Sequence, residues 1–122
     1  MFWVWRLLLC IVLFAWWPVG FATELVVTLP SIAMRGAPGV IELIAHAAVA
    51  ALSIAACRAV WSEAPAARTL AAAALVASAL ATVQSLYWSV LPHQTMPGDQ
   101  LPLAILAVAH AGAWLVYLSR SA

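Results

Sequence analysis

Four ionisable residues lie inside long apolar runs of this chain, and their side chains are the ones best suited to chemistry. They are two glutamates and two histidines: Glu24, Glu42, His46 and His110. A charged side chain is costly in the hydrocarbon core of a bilayer, so residues of this kind are expected to be paired, buried or functional. Carboxylates and imidazoles can bind a metal ion, and an imidazole can also hold a haem or pass protons near neutral pH.

The composition of the chain is typical of a membrane protein. Of its 122 residues, 67% are hydrophobic and only 7% are charged, whereas about a quarter of the residues in a soluble domain are charged. The net charge is +1 and there is no basic run, so nothing indicates binding to nucleic acid. Cys10 and Cys57 form no C-x-x-C motif and are expected to be small buried residues. The chain is therefore predicted to form one integral membrane domain over residues 1–122.

Four apolar segments are separated by breakers, and each is long enough to cross a bilayer core. Their approximate bounds are 7–29, 40–61, 67–91 and 101–119. Backbone polar groups in lipid must be satisfied internally, so helices are the expected form. The connection between the second and third segments is short, which favours antiparallel neighbours. The sequence thus predicts an all-α fold, a four-helix transmembrane bundle with up-down topology.

The arginines indicate how this bundle is oriented. Four of the five fall on one side of the predicted membrane: Arg6, Arg58, Arg68 and Arg120. Only Arg35 falls on the other side. By the positive-inside rule, both termini are predicted to be cytoplasmic. The expected location is a cell membrane, crossed several times, with the bacterial inner membrane as the expected compartment.

On this topology the polar residues of the spans gather in the outer half of the membrane. With a helical rise of about 1.5 Å per residue, the four ionisable residues lie about 3 to 14 Å below the outer boundary. Glu42 and His46 are four residues apart and so share one helical face. Gln84 lies in the outer half of the third span, and Trp114 shares a face with His110. The predicted ligand-binding or cofactor-binding residues are therefore Glu24, Glu42, His46, Gln84, His110 and Trp114.

Several chemistries could use this group. Iron, zinc or copper would suit a mixed set of imidazole and carboxylate ligands, for which the candidates are Glu24, Glu42, His46 and His110. A b-type haem would need axial ligands on facing helices, for which His46 and His110 are available. A quinone or another lipophilic ligand could lie between the helices, with His and Glu at its polar end. A carboxylate–histidine pair could also relay protons.

The alternative is a structural role for the same residues. Glu42 and His46 would pair locally, and His110 would bond a neighbouring hydroxyl or carbonyl group. Interhelical polar bonds, each worth roughly 1 kcal/mol, would then hold the helices together without any cofactor. No nucleophile with an adjacent base stands out, so no catalytic residue is assigned.

The order of charged residues along the spans follows a recognisable layout. Arg6 opens the first span, Glu42 lies early in the second, and Arg68 opens the third after a short loop. A longer loop precedes the fourth span. In this layout the chain resembles DoxX-like small membrane proteins over most of its length. The resemblance implies a membrane component linked to quinone-coupled redox chemistry, or an accessory protein.

The expected function is that of a non-catalytic membrane component, an accessory or assembly subunit of a larger membrane complex. A chain this small has little surface outside the bilayer, so a larger complex or a second copy would bind through lipid-facing helix surfaces. The alternative function is a quinone-, metal- or haem-binding redox protein that uses the Glu/His cavity in the outer leaflet.

Overall fold

The computed structural model describes residues 3–89 and 98–120, and within these ranges all regular structure is helical. The elements are α1 (Trp3–Thr28), a single 3₁₀ turn (Leu29–Ser31), α2 (Ile32–Trp61), α3 (Ala67–Tyr87) and α4 (Gln100–Arg120). The all-helical fold predicted from the sequence is confirmed for this part of the chain. The third helix ends at Tyr87, before the end near residue 91 that the sequence predicts for the third span, and residues 90–97 lie outside the described residues.

Three helical stretches in the described part of the chain are long and apolar enough to cross a membrane. They are Trp3–Trp61, Ala67–Tyr87 and Gln100–Arg120. The sequence predicts four separate spans instead. The difference arises because α1, the 3₁₀ turn and α2 follow one another without a loop, as one stretch of 59 residues.

Residues 30–39, which the sequence leaves between the first two predicted spans, are helical apart from a kink, because the prolines in this region begin helical turns instead of ending them. Pro30 lies at the start of the 3₁₀ turn, and Pro38 lies in the first turn after a kink in α2. In a first turn, the N–H that proline lacks would have no partner within the helix anyway. The kink is at Gly36, whose φ of +72° and ψ of −169° lie in a region essentially restricted to glycine.

The long stretch folds back on itself, so that α1 and α2 lie side by side. A straight helix of 59 residues would be about 90 Å long, roughly three times the thickness of a bilayer core. At the end far from the kink, the thiols of Cys10 and Cys57 each lie 3.5 Å from the other residue's carbonyl oxygen. Nearer the kink, Glu24 of α1 contacts His46 of α2. The two helices therefore run antiparallel.

The helices pack in chain order, and the core between them is built from leucine and alanine. α1 packs on α2, α2 on α3 and α3 on α4, while α1 also approaches α3. Trp17 of α1 donates its indole N–H to the backbone carbonyl of Ser78 in α3 at 3.0 Å. Alanine lets helix backbones approach closely, as is common in membrane proteins. The most buried apolar side chains include Leu9, Leu13, Leu75, Leu118, Ala56, Ala71 and Ala74.

The short connection between α2 and α3 is a Schellman turn, which makes the two helices antiparallel neighbours as predicted. The N–H of Ala64 bonds the carbonyl of Ala59 at 3.0 Å, and the N–H of Glu63 bonds that of Val60 at 3.3 Å. This pair of bonds satisfies carbonyls at the end of α2. Glu63 takes the left-handed conformation that the motif requires, with φ of +56°.

Candidate functional site

Three helices bring four of the predicted polar residues together. Glu24 comes from α1, Glu42 and His46 come from neighbouring turns of α2, and Gln84 comes from α3. The reversal between α1 and α2 brings Glu24 opposite His46, and the antiparallel packing of α3 on α2 brings in Gln84. His46 is 2% exposed and Glu42 is 8% exposed, while Glu24 and Gln84 are half-buried.

His46 is the centre of this cluster and is bonded through both ring nitrogens. Its Nδ1 atom lies 2.9 Å from each carboxylate oxygen of Glu24, and its Nε2 atom lies 2.9 Å from Oε1 of Gln84. Both nitrogens thus face oxygen acceptors, an arrangement that suits a doubly protonated ring because neutral histidine has only one N–H donor. The ring of Trp17 covers the imidazole, with the ring centroids 4.8 Å apart. The imidazole is therefore held by α1 and α3 together.

Gln84 connects His46 to the second carboxylate. Its Nε2 atom donates to Oε1 of Glu42 at 2.7 Å, and the hydroxyl of Ser89 donates to Oε2 of the same carboxylate at 2.6 Å. The result is a continuous chain of hydrogen bonds across three helices, here called the polar network: Glu24, His46, Gln84, Glu42 and Ser89. An amide has one donor group and one acceptor group. If a proton moved from His46 to Glu42, rotation of the Gln84 amide would keep both hydrogen bonds. Its N–H would then face the Nε2 atom of His46, and its oxygen would face the protonated carboxyl group of Glu42.

The polar network also contains a set of possible metal ligands. One ligand atom each from Glu24, Glu42 and His46 lie within 4.8 Å of one another. A mixed carboxylate and imidazole set of this kind suits zinc or iron. A metal would compete with the present hydrogen bonds, since the Nδ1 atom of His46 already bonds Glu24. The fourth metal candidate, His110, is not a member of this set.

His110 and Trp114 lie elsewhere, on an outward part of α4. His110 is exposed, its Nε2 atom accepts the indole N–H of Trp114 at 3.2 Å, and its ring centroid lies 5.5 Å from that of Trp16 in α1. Among the described residues, α2 and α4 have no close backbone approach. His46 and His110 therefore do not face each other as two axial haem ligands would. The bond of His110 is to an indole, whereas the structural alternative predicts a hydroxyl or carbonyl partner.

An apolar groove opens beside the polar network, between α2 and α3. Its volume is about 680 Å³. Its polar edge is formed by Glu42, His46 and Gln84, and the rest of its lining is apolar: Pro38, Ile41, Ala45, Val49, Ala77, Leu80, Ala81 and Trp88. The groove is thus a mostly apolar surface with three hydrogen-bonding side chains, those of Glu42, His46 and Gln84.

Two members of the site were not among the predicted residues. Ser89 follows the end of α3 and lies four residues after Ser85, so its spacing in the sequence was a usable signal. Trp17 is one of several tryptophans in α1, and only the packing of α1 distinguishes it from Trp16. Comparison of the chain with protein-family models, with curated proteins and with solved structures gave no match.

Proposed function

We propose that this chain is a multi-pass membrane protein that binds a lipophilic ligand with a hydrogen-bonding head, such as a quinone, in the groove between α2 and α3. The observation that carries this proposal is the polar edge of an otherwise apolar groove, formed by Glu42, His46 and Gln84. Ligand sites are usually concave, mostly apolar, about 300 to 1,000 Å³ in volume, and equipped with a few convergent polar groups. The groove matches such sites in its volume, its mostly apolar lining and its few polar groups.

The polar edge offers both kinds of hydrogen bond to a ligand. The Gln84 amide has a second N–H besides the one that bonds Glu42, and it suits a quinone carbonyl. The carboxylate of Glu42 has further lone pairs that can accept from a hydroxyl group, whereas both ring nitrogens of His46 are already bonded within the network. Trp88 is 72% exposed and lines the same groove, so its ring is available to cover a ligand. The polar network holds these groups in place before a ligand arrives, which reduces the ordering cost of binding. The DoxX-like layout of charged residues supports the same proposal.

We propose a four-pass topology for this protein, with both termini in the cytoplasm. α1 has 26 residues and α2 has 30, so each would be about 40 Å long or more and could cross a bilayer core alone. Their antiparallel packing supports two passes within the stretch Trp3–Trp61. The four arginines at one end of the helices support the orientation, through the positive-inside rule.

Reporter fusions test this topology. A reporter after Ala122 and one inserted at Ala64 are both expected to show cytoplasmic activity, whereas one inserted at Gly98 is expected to show exterior activity. An alkaline phosphatase and a fluorescent protein that folds only in the cytoplasm give opposite signals and serve as mutual controls. An exterior signal from the Ala122 fusion would contradict the orientation, and equal signals at Ala64 and Gly98 would contradict the crossing of α3. A further insertion at Arg35 is expected to show exterior activity, and a cytoplasmic signal there would contradict two passes within Trp3–Trp61.

A bulky side chain placed in the groove tests whether a ligand binds there. Ala45→Phe adds a ring to a residue of the groove lining, whereas Ala48→Phe adds the same ring to an exposed position of α2 outside that lining. We expect Ala45→Phe to weaken binding of a short-chain ubiquinone analogue at least tenfold, because the ring occupies the ligand volume, and Ala48→Phe to leave it unchanged. Titration of purified protein in detergent, followed by tryptophan fluorescence, measures both. Equal affinities for the two variants, or no binding to the unaltered chain, would overturn the proposal.

A second candidate function is that of an accessory or assembly subunit within a larger membrane complex. The observation that favours it is the large apolar surface on every helix, with exposed side chains that include Ile11, Ile44, Leu80 and Leu106. Such a surface suits either lipid or the helices of a partner. This function predicts that the chain co-purifies in mild detergent with one larger complex, in a fixed ratio. It also predicts that Ala45→Phe leaves the co-purification intact.

A further inference from the structure

A second cavity lies at the opposite end of the helices from the polar network, about 25 Å away along α1 and α3. Its volume is about 470 Å³, and it is lined by the start of α1, the turn between α2 and α3, the first turn of α3 and the end of α4. Three of its lining residues carry donor groups: Arg6, Arg68 and Thr69. We propose that this cavity binds the phosphate group of an anionic phospholipid.

Arg6 provides a fixed guanidinium group at this cavity. Its side chain is 21% exposed, pairs with the carboxylate of Glu63 and lies over the ring of Trp61, with its Cζ atom 5.2 Å from the ring centroid. Its Nε atom is buried without a hydrogen-bond partner. Arginine binds phosphate through a planar fork of N–H donors, and the contacts with Glu63 and Trp61 fix the position of this fork in Arg6.

Arg68 and Thr69 provide a second set of donors, from the first turn of α3. Arg68 is exposed, and within the described residues it has no hydrogen-bond or ion-pair partner. α3 begins without a side-chain cap, because its N-cap residue is Ala66. The first N–H groups of a helix have no acceptor within it, and together with the helix dipole they favour an anion. Guanidinium and hydroxyl groups thus line one cavity, at the start of a helix in which the N–H of Ala67 bonds the carbonyl of Ala64 and the N–H groups of Arg68 and Thr69 have no acceptor within the helix.

The surroundings indicate that the phosphate belongs to a lipid. The cavity lies at the ends of membrane-spanning helices, where phospholipid headgroups lie, and basic pockets at this level commonly bind anionic headgroups. Four arginines and one glutamate, Glu63, are at this end, which leaves three net positive charges. Glu63 is the one carboxylate in the lining, and its side chain is 69% exposed, so it can turn outward when a phosphate takes its place beside Arg6.

This inference rests on the membrane-spanning part of the proposed function and does not depend on the groove between α2 and α3. The test uses the full chain in detergent micelles that contain phosphatidylcholine, with phosphatidylglycerol added in increasing amount. Native mass spectrometry counts the lipids that remain bound. We expect one phosphatidylglycerol to be retained in preference to phosphatidylcholine. Equal retention of the two lipids would overturn the proposal.

Variants locate the bound lipid. Arg68→Gln, an exposed substitution, is expected to weaken phosphatidylglycerol retention at least fivefold, and Thr69→Val is expected to weaken it less. Glu63→Gln is expected to strengthen it, because the competing carboxylate is removed. Arg58→Gln is the matched control, since Arg58 is exposed at the same end of α2 but lies outside this cavity. Equal losses in Arg58→Gln and Arg68→Gln would show general charge attraction and contradict a site.

The source of the phosphate is distinguished by competition. Inorganic phosphate at millimolar concentration is expected to leave the bound lipid in place, because only the lipid also contacts the apolar helix surface. If inorganic phosphate displaces it readily, the cavity binds free phosphate and the lipid assignment is wrong. Ala45→Phe is expected to leave lipid retention unchanged, so failure of this proposal and failure of the groove proposal can be distinguished.

Discussion

Replacing His46 by leucine is expected to lower the free energy of unfolding by about 2 to 3 kcal/mol. The substitution removes the bonds to Glu24 and Gln84 at once. It leaves the carboxylate of Glu24 half-buried beside apolar side chains without the imidazole that it faces. Titration with sodium dodecyl sulfate in mixed micelles, followed by circular dichroism, measures the loss.

The magnitude depends on which of two effects is larger. A single interhelical hydrogen bond in a membrane protein is worth only about 0.6 kcal/mol on average, because the unfolded chain in the membrane finds other partners. Removing one member of a buried ion pair costs about 3 to 5 kcal/mol, because a charge is left uncompensated. At His46 the second effect is larger, since the residue is almost inaccessible and both of its nitrogens are bonded.

The matched control is the other described histidine in a span. His110 is exposed on α4 and accepts one bond, from Trp114 one turn away on the same helix. His110→Leu is therefore expected to change stability by no more than about 0.5 kcal/mol. Equal effects for the two leucine variants would mean that the polar network contributes no more to the fold than an exposed histidine does.

Replacing Gly36 by alanine is expected to cost about 2 kcal/mol. A Cβ atom at this position would meet only the Cδ atom of Pro38, at 3.8 Å, which is an ordinary contact. The cost therefore arises from the backbone, since φ of +72° with ψ of −169° is essentially restricted to glycine. The strain would fall on the kink that lets α2 pack beside α1, so the loss would appear in the same unfolding titration.

In two control positions inside helices, replacing glycine by alanine is expected to raise the stability of the protein instead of lowering it. Gly20 and Gly112 lie inside α1 and α4, and a Cβ atom at either would meet nothing within 4 Å. In a helix interior alanine is favoured over glycine by about 0.5 to 1 kcal/mol. Gly20→Ala and Gly112→Ala are therefore expected to stabilise the protein. A stabilising effect of Gly36→Ala would show that the kink does not have the conformation described.

The apolar helices and most of their bounds could be predicted from the sequence, because hydropathy is a property of each segment by itself. The helical turns and the kink of residues 30–39 could not be predicted in this way. Proline and glycine usually mark a loop, yet here Pro30 and Pro38 occupy first turns, and the chain changes direction at Gly36. Whether a proline ends one helix or begins the next depends on the backbone around it, which composition does not show.

The candidate site, like the fold, could be predicted from the sequence only in part. The sequence by itself predicted Glu24, Glu42, His46 and Gln84 in the outer half of the apolar segments, since depth follows from counting residues along a helix. Only the tertiary structure decided that Ser89 joins them while His110 does not. Each residue turns a helix by about 100°, so the neighbour that a side chain meets depends on how each helix is rotated against the next. That rotation is set by packing between segments distant in sequence, and no single segment encodes it.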